Sequence, residues 1–232
     1  MVETYLSPLW ISLMTVFTAT TITFFLGIAA AYWMAKYTGK LRSFIDGILI
    51  LPLVLPPTAV GLGLLLLFGK HGPLGQLLLM FGTTVVFSWP ATVIAAIVVA
   101  FPLMYMNARG AFEQVEANLQ DAARTLGASE WRIFWSVTLP LAWPGVAAGI
   151  ILSFARALGE FGATLMLAGN IPGKTTTIPV AIYFAVQDGD MNQALILVLF
   201  VLMISFASLA ALACLKGRTY KARSIISDRA IQ

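Results

Sequence analysis

Long apolar stretches, separated by short clusters of charge, dominate the chain. Crossing the hydrocarbon of a bilayer takes about 20 mostly apolar residues in a helix, because the backbone must satisfy its own hydrogen bonds there. Five stretches meet that requirement: residues 9–35, 44–68, 84–106, 139–167 and 192–215. The pattern predicts an all-α, polytopic membrane protein, one domain over 1–215 with a polar tail at 216–232. The first stretch is too long for the apolar part of a signal peptide, and its flank carries Glu3 and no basic residue. A shorter apolar run, 178–186, cannot span. It predicts a short helix lying at the outer surface, with a shallow re-entrant piece as the alternative.

Helix breakers gather in the second and fourth stretches. The second holds Pro52, Pro56, Pro57, Gly61 and Gly63; the fourth holds Pro140, Pro144, Gly149, Gly159 and Gly162. Proline at membrane depth removes a backbone hydrogen bond, which is tolerated where the helix is buried in protein or borders a wet cavity. These two stretches are therefore expected to border a pathway, ordinary packing being the other reading.

Composition agrees with the pattern. Of 232 residues, 59% are hydrophobic and 10% charged, against about 25% charged in a soluble domain. The net charge of +4 is a topology signal, because its carriers fall on alternate connections. Lys36, Lys40, Arg42, Arg109, Arg124, Arg132, Lys216, Arg218, Lys221, Arg223 and Arg229 lie on one side, and only Lys70 and Lys174 on the other. The positive-inside rule then places the N-terminus outside and the C-terminus in the cytoplasm. That distribution argues against nucleic acid as a partner and for the lipid bilayer. The single cysteine, Cys214, excludes an internal disulfide and a Cys-based metal site, and the single His71 sits in a loop without carboxylates. No metal or cofactor is expected.

The longest cytoplasmic connection, 107–138, has structure of its own. Small and apolar residues recur at helical spacing over 113–126, and Gly127 is placed to stop that helix in the left-handed conformation. Ser129 then caps a second short helix carrying Trp131, Ile133, Phe134 and Trp135. Two such helices make a knob that either docks another protein or lies on lipid headgroups.

The run Glu116-Ala117-Asn118-Leu119-Gln120-Asp121-Ala122-Ala123-Arg124-Thr125-Leu126-Gly127, continuing to Thr138-Leu139-Pro140, resembles the EAA loop of binding-protein-dependent ABC importer permeases, with Asp121 standing where that pattern has Glu. The resemblance implies a type I ABC importer permease fold, with Asp121, Ala122, Ala123 and Gly127 coupling to a separate ATPase subunit. A second run, 155–164 followed by 168–175, and the proline-rich 51–58 look like the molybdate, tungstate and sulfate/thiosulfate branch. The short N-terminus and total length look more like molybdate permeases. The resemblance further implies a homodimer with the path on its two-fold axis, cytoplasmic ATPase subunits, and an extracytoplasmic oxyanion-binding protein.

Arg156 and Glu160 lie well inside the fourth stretch and are four residues apart, on one helix face. Charge at that depth is costly and rare, and it points to function. In one reading the two neutralise each other and fix packing. In the other, Arg156 lends positive potential to a path for a dianion, Glu160 orients it, and Ser153, Thr164 and Asn170 add weak donors. No catalytic cluster accompanies them. The segment from Gly169 to Thr175 mimics a phosphate loop but has three residues between its glycines instead of four. The chain is therefore not expected to hydrolyse ATP. An ion-coupled carrier would show an internal repeat, and an intramembrane enzyme a polar cluster; neither signal is present.

Overall fold

The computed structural model describes the backbone of residues 2–230 and the side chains of 6–211, 213 and 214. Glu3, Lys216, Arg218, Lys221, Arg223 and Arg229, which enter the charge argument, lie outside the described side chains. Every regular element among the described residues is helical: α1 (Val2–Lys36), α2 (Arg42–Val54), α3 (Pro57–Phe68), α4 (Pro73–Met80), α5 (Trp89–Glu113), α6 (Ala117–Thr125), α7 (Glu130–Ile133), a π-helical turn (Phe134–Thr138), α8 (Leu139–Leu158), α9 (Gly162–Ala168), α10 (Ile178–Gln187) and α11 (Met191–Ala230).

Four runs are long and apolar enough to cross a bilayer: Leu6–Lys36, Trp89–Glu113, Glu130–Leu158 and Met191–Ala211. The stretch expected as one span at 44–68 passes the same test as a pair, α2 and α3, and makes a fifth crossing when the two are taken as one span broken by a 111° bend. The cause is local. A residue before proline is driven out of the α region, and Leu55 and Pro56 are both extended, with ψ 143° and 135°. Pro57 can then restart a helix, because the first helical position needs no N–H. The stretch expected at 139–167 is also broken. Helix α8 ends at Leu158, and α9 begins at Gly162 after Phe161 leaves helical geometry at φ −124° and ψ −57°.

Helix α5 is the centre of the bundle, packed between α1 and α8. Glycines make both approaches close. A methyl group on Gly27 of α1 would lie 2.5 Å from Met104 Cγ, and one on Gly149 of α8 would lie 3.1 Å from Met104 Sδ and Asn107 Cβ. Small residues let helix backbones approach in this way where lipid supplies no hydrophobic drive. Met34, Met104, Tyr105, Ala108, Phe112 and Val146 form the core at that level. By contrast, only 11% of the apolar stretch of α11 is buried, which places it on the periphery.

Two further expectations change. The helix expected over 113–126 is divided: α5 carries on to Glu113, and α6 starts at Ala117. Helix α5 keeps a buried face as far as Phe112, whereas α6 buries no residue, so packing marks a boundary that periodicity does not. The apolar run at 178–186 is α10, but it does not lie loosely on the surface. Ile178, Val180, Ala181 and Ala185 are buried, and the Ile178 N–H donates to Ser12 Oγ of α1 at 2.7 Å.

Candidate functional site

The connection between α5 and α8 forms the expected knob. Helix α6 ends where Gly127 adopts φ +81°, with the Gly127 N–H donating to the Arg124 carbonyl at 2.9 Å and the Ala128 N–H to the Ala123 carbonyl at 3.1 Å. Ser129 caps α7, its Oγ accepting the Arg132 N–H at 3.4 Å. From there α7, the π turn and α8 run on without a gap, so the knob is rigidly continuous with a membrane helix. Asp121, Ala122 and Gly127 are exposed and Ala123 is half-buried. Leu126, beside Gly127, is 88% exposed.

An ionic chain fixes the knob to α1. Asp121 accepts from Arg124 Nη1 at 2.6 Å, Arg124 Nε donates to Glu130 at 2.6 Å, and Lys36 Nζ donates to Glu130 at 2.8 Å. Arg124 first, and Lys36 after it, hold the Glu130 carboxyl down at about 2. Glu130, followed by Asp121, holds the Arg124 guanidinium above its ordinary range. Sequence spacing marks only the Asp121–Arg124 link, three residues apart; Lys36 is 94 residues from Glu130.

A second cluster ties α2 to α5. Tyr105 Oη donates to Asp46 at 2.6 Å, and Arg109 Nη1 donates to the same carboxylate oxygen. Arg109 Nε and Arg42 Nη2 share Glu113 Oε1 at 2.8 and 2.6 Å. Sequence reasoning passed over Asp46. Its available signal was the run Tyr105, Arg109, Glu113, four residues apart on one face of α5.

At the break between α8 and α9 the structure brings Arg156 and Glu160 together. Arg156 Nη1 donates to Glu160 Oε2 at 3.0 Å, with side chains 28% and 2% exposed, and Glu160 Oε1 accepts the Ala163 N–H at 2.7 Å. Thr164 lies beside them, buried, with Ser12, Thr15 and Thr177 around a void of about 10 Å³, room for one water at most. Thr92 donates its proton to the Trp89 carbonyl at 2.7 Å, so Thr15 donates to Thr92 at 2.9 Å and accepts from Trp89 Nε1 at 3.1 Å. Ser153 is apart from this group: it is buried and donates to the Ala100 carbonyl at 3.3 Å. Asn170 accepts from Thr176 Oγ1 at 2.6 Å. The glycine segment closes on itself, with Thr175 Oγ1 accepting the Ile171 N–H at 3.0 Å and donating to the Gly169 carbonyl at 3.3 Å.

The described residues thus form a multi-crossing helical bundle with one broken span and a polar knob continuous with a membrane helix. The chain belongs to the family of binding-protein-dependent transport system inner membrane components, whose profile matches residues 24–219. It is a multi-pass membrane subunit of that family. It is 44% identical over 206 residues to the putative molybdenum transport system permease protein YvgM of Bacillus subtilis, covering 88% of this chain and 91% of that one. With the molybdenum transport system permease protein ModB of Escherichia coli the identity is 49% over 162 residues, covering 69% and 71%. The fold matches a chain of the inward-facing MetNI methionine ABC transporter with a TM-score of 0.67 at 20% identity, covering 91% of this chain and 96% of that one.

Proposed function

We propose that this chain is the permease subunit of an ATP-driven importer that carries molybdate across the cytoplasmic membrane. Two copies form the path about a two-fold axis, with the N-termini outside and the C-termini in the cytoplasm. The chain has no ATPase site of its own. Separate ATPase subunits grip the α6–α7 knob through Asp121, Ala122, Ala123 and Gly127, and an extracytoplasmic binding protein delivers the oxyanion to the other end. ATP binding draws the knobs together and biases the bundle toward an outward-facing arrangement, and hydrolysis resets it. Arg156 lends positive potential to the path, while Glu160, Thr164 and Ser153 shape the helices that border it. The observation that carries the mechanism is the knob: an exposed, capped helix pair, continuous with α8 and held to α1 by ion pairs. The relatives at 44% and 49% identity favour molybdate as cargo.

Reconstitution tests this reading. The permease, a candidate ATPase and a candidate binding protein in liposomes should import radiolabelled molybdate only with ATP, and excess unlabelled molybdate should suppress uptake more than excess sulfate. Uptake driven by an ion gradient without ATP would refute the class. Stronger suppression by sulfate would refute the cargo.

A further inference from the structure

The helices that follow the two breaks, α3 and α9, meet. A methyl group on Gly162, the first residue of α9, would lie 3.1 Å from Pro57 Cβ and the Thr58 nitrogen, at the first turn of α3. One on Gly61 of α3 would lie 2.8 Å from Ala163 Cα and from Met166 Cβ of α9. Backbones this close, at two glycines on opposite partners, seat α3 tightly on α9. Helices α3 and α9 therefore form one block. Each joins the rest of the chain through a break, α3 at Leu55–Pro56 and α9 at 159–161, and the glycine contacts put those breaks at the same level. Against α5 the block rests on Ala91, Ala95 and Val99, a low-relief apolar face suited to small shear movements.

One side chain spans the break on the α9 side. Glu160 holds α8 through Arg156 and α9 through the Ala163 N–H, with a different oxygen for each. The Glu160 side chain is 2% exposed, so bulk water has little access to the carboxylate. We propose that Glu160 is a positioning residue, a latch that fixes the α3–α9 block relative to α8, and that the block moves as one body when the permease changes state. The second half rests on the alternating-access reading above; the first does not.

Spin labels test both halves, placed on the exposed positions Leu66 of α3, Met166 of α9 and Trp143 of α8 in a Cys214→Ser background. In the nucleotide-free permease in nanodiscs, Glu160→Gln and Glu160→Asp should each broaden or shift the Met166–Trp143 distance distribution while leaving Leu66–Met166 unchanged. The first loses the acceptor for Arg156, and the second is too short for both partners. With two variants, misfolding of one leaves the other to decide. Distributions identical to the native protein would overturn the latch. In the full complex, trapping with ATP and vanadate should change Met166–Trp143 by more than about 2 Å with Leu66–Met166 constant. A change in the latter would overturn the single block. Both variants should also lower molybdate imported per ATP hydrolysed by roughly tenfold, within the usual range of coupling between two sites, which a purely structural loss would leave unchanged. Trapping that moves no pair in the native complex would overturn the moving block together with the transport reading it rests on, and leave the latch to the nucleotide-free result.

Discussion

Replacing Gly27 by alanine tests the packing of the bundle most sharply. In an open helix position the change stabilises by about 0.5–1 kcal/mol, because glycine loses more backbone entropy on folding. Gly110, in α5, is such a position, with nothing within 4 Å of an added methyl group. At Gly27 the methyl would lie 2.5 Å from Met104 Cγ and 3.0 Å from Met104 Cβ, and Met104 is fully buried. Overpacking of this kind costs about 1–3 kcal/mol, so Gly27→Ala should be less stable than Gly110→Ala by about that amount. Met104→Ala alone should cost about 2–5 kcal/mol through the cavity it leaves. In the double variant the methyl added at Gly27 enters that space, so the combined loss should fall short of the sum by at least ~1 kcal/mol. Reversible unfolding in mixed micelles of increasing denaturing-detergent fraction, followed by helical circular dichroism, measures all four. Equal effects at Gly27 and Gly110, or strict additivity with Met104, would refute the close approach of α1 to α5.

Three further outcomes are expected. Gly169→Ala should lose about 1–3 kcal/mol in the same assay, because φ +67° with ψ −163° is a conformation almost confined to glycine and the Phe87 ring lies 3.0 Å from the added methyl. Stability supplied by Glu130 should be complete above its ordinary carboxylate value of 4.5 and fade as pH falls toward 2, since the folded state holds that carboxyl down; a carboxyl-carbon NMR titration reads this directly, and Arg124→Gln should raise the midpoint. Leu126→Ser, at a side chain 88% exposed, should change permease stability by less than about 0.5 kcal/mol yet weaken ATPase capture measured by affinity pull-down.

The helical class, the membrane and the knob were legible because each depends on short-range signals: apolar runs of spanning length, Gly127 after an alanine-rich stretch, and Ser129 before Glu130. Proline and glycine marked which spans would be irregular, but not how sharply. The 111° bend follows from two adjacent extended residues ahead of Pro57, and hydropathy averaged over 44–68 conceals it. The end of α5 was hidden for a related reason: periodicity continues through residues 113–126, while the backbone leaves the helix after Glu113 and turns extended at Glu116, with ψ 128°. Arg156 and Glu160 were legible as a pair from their spacing. The second oxygen of Glu160, given to Ala163, was not, because it requires the break at 159–161. The tie from Lys36 to Glu130 spans 94 residues and leaves no local trace. Nor does the seating of α3 on α9, since an isolated glycine does not say which helix approaches it.

In the proposed transporter the knob faces the cell interior and is gripped there by a separate motor. The most direct measurement places a cysteine at Ala122, exposed on α6, in a Cys214→Ser background, and follows its reaction with a membrane-impermeant maleimide. The expected outcome is no labelling in intact cells, labelling in inside-out vesicles, and protection when purified ATPase subunits are added to those vesicles. Labelling from outside intact cells, or unchanged labelling with the ATPase bound, would contradict it.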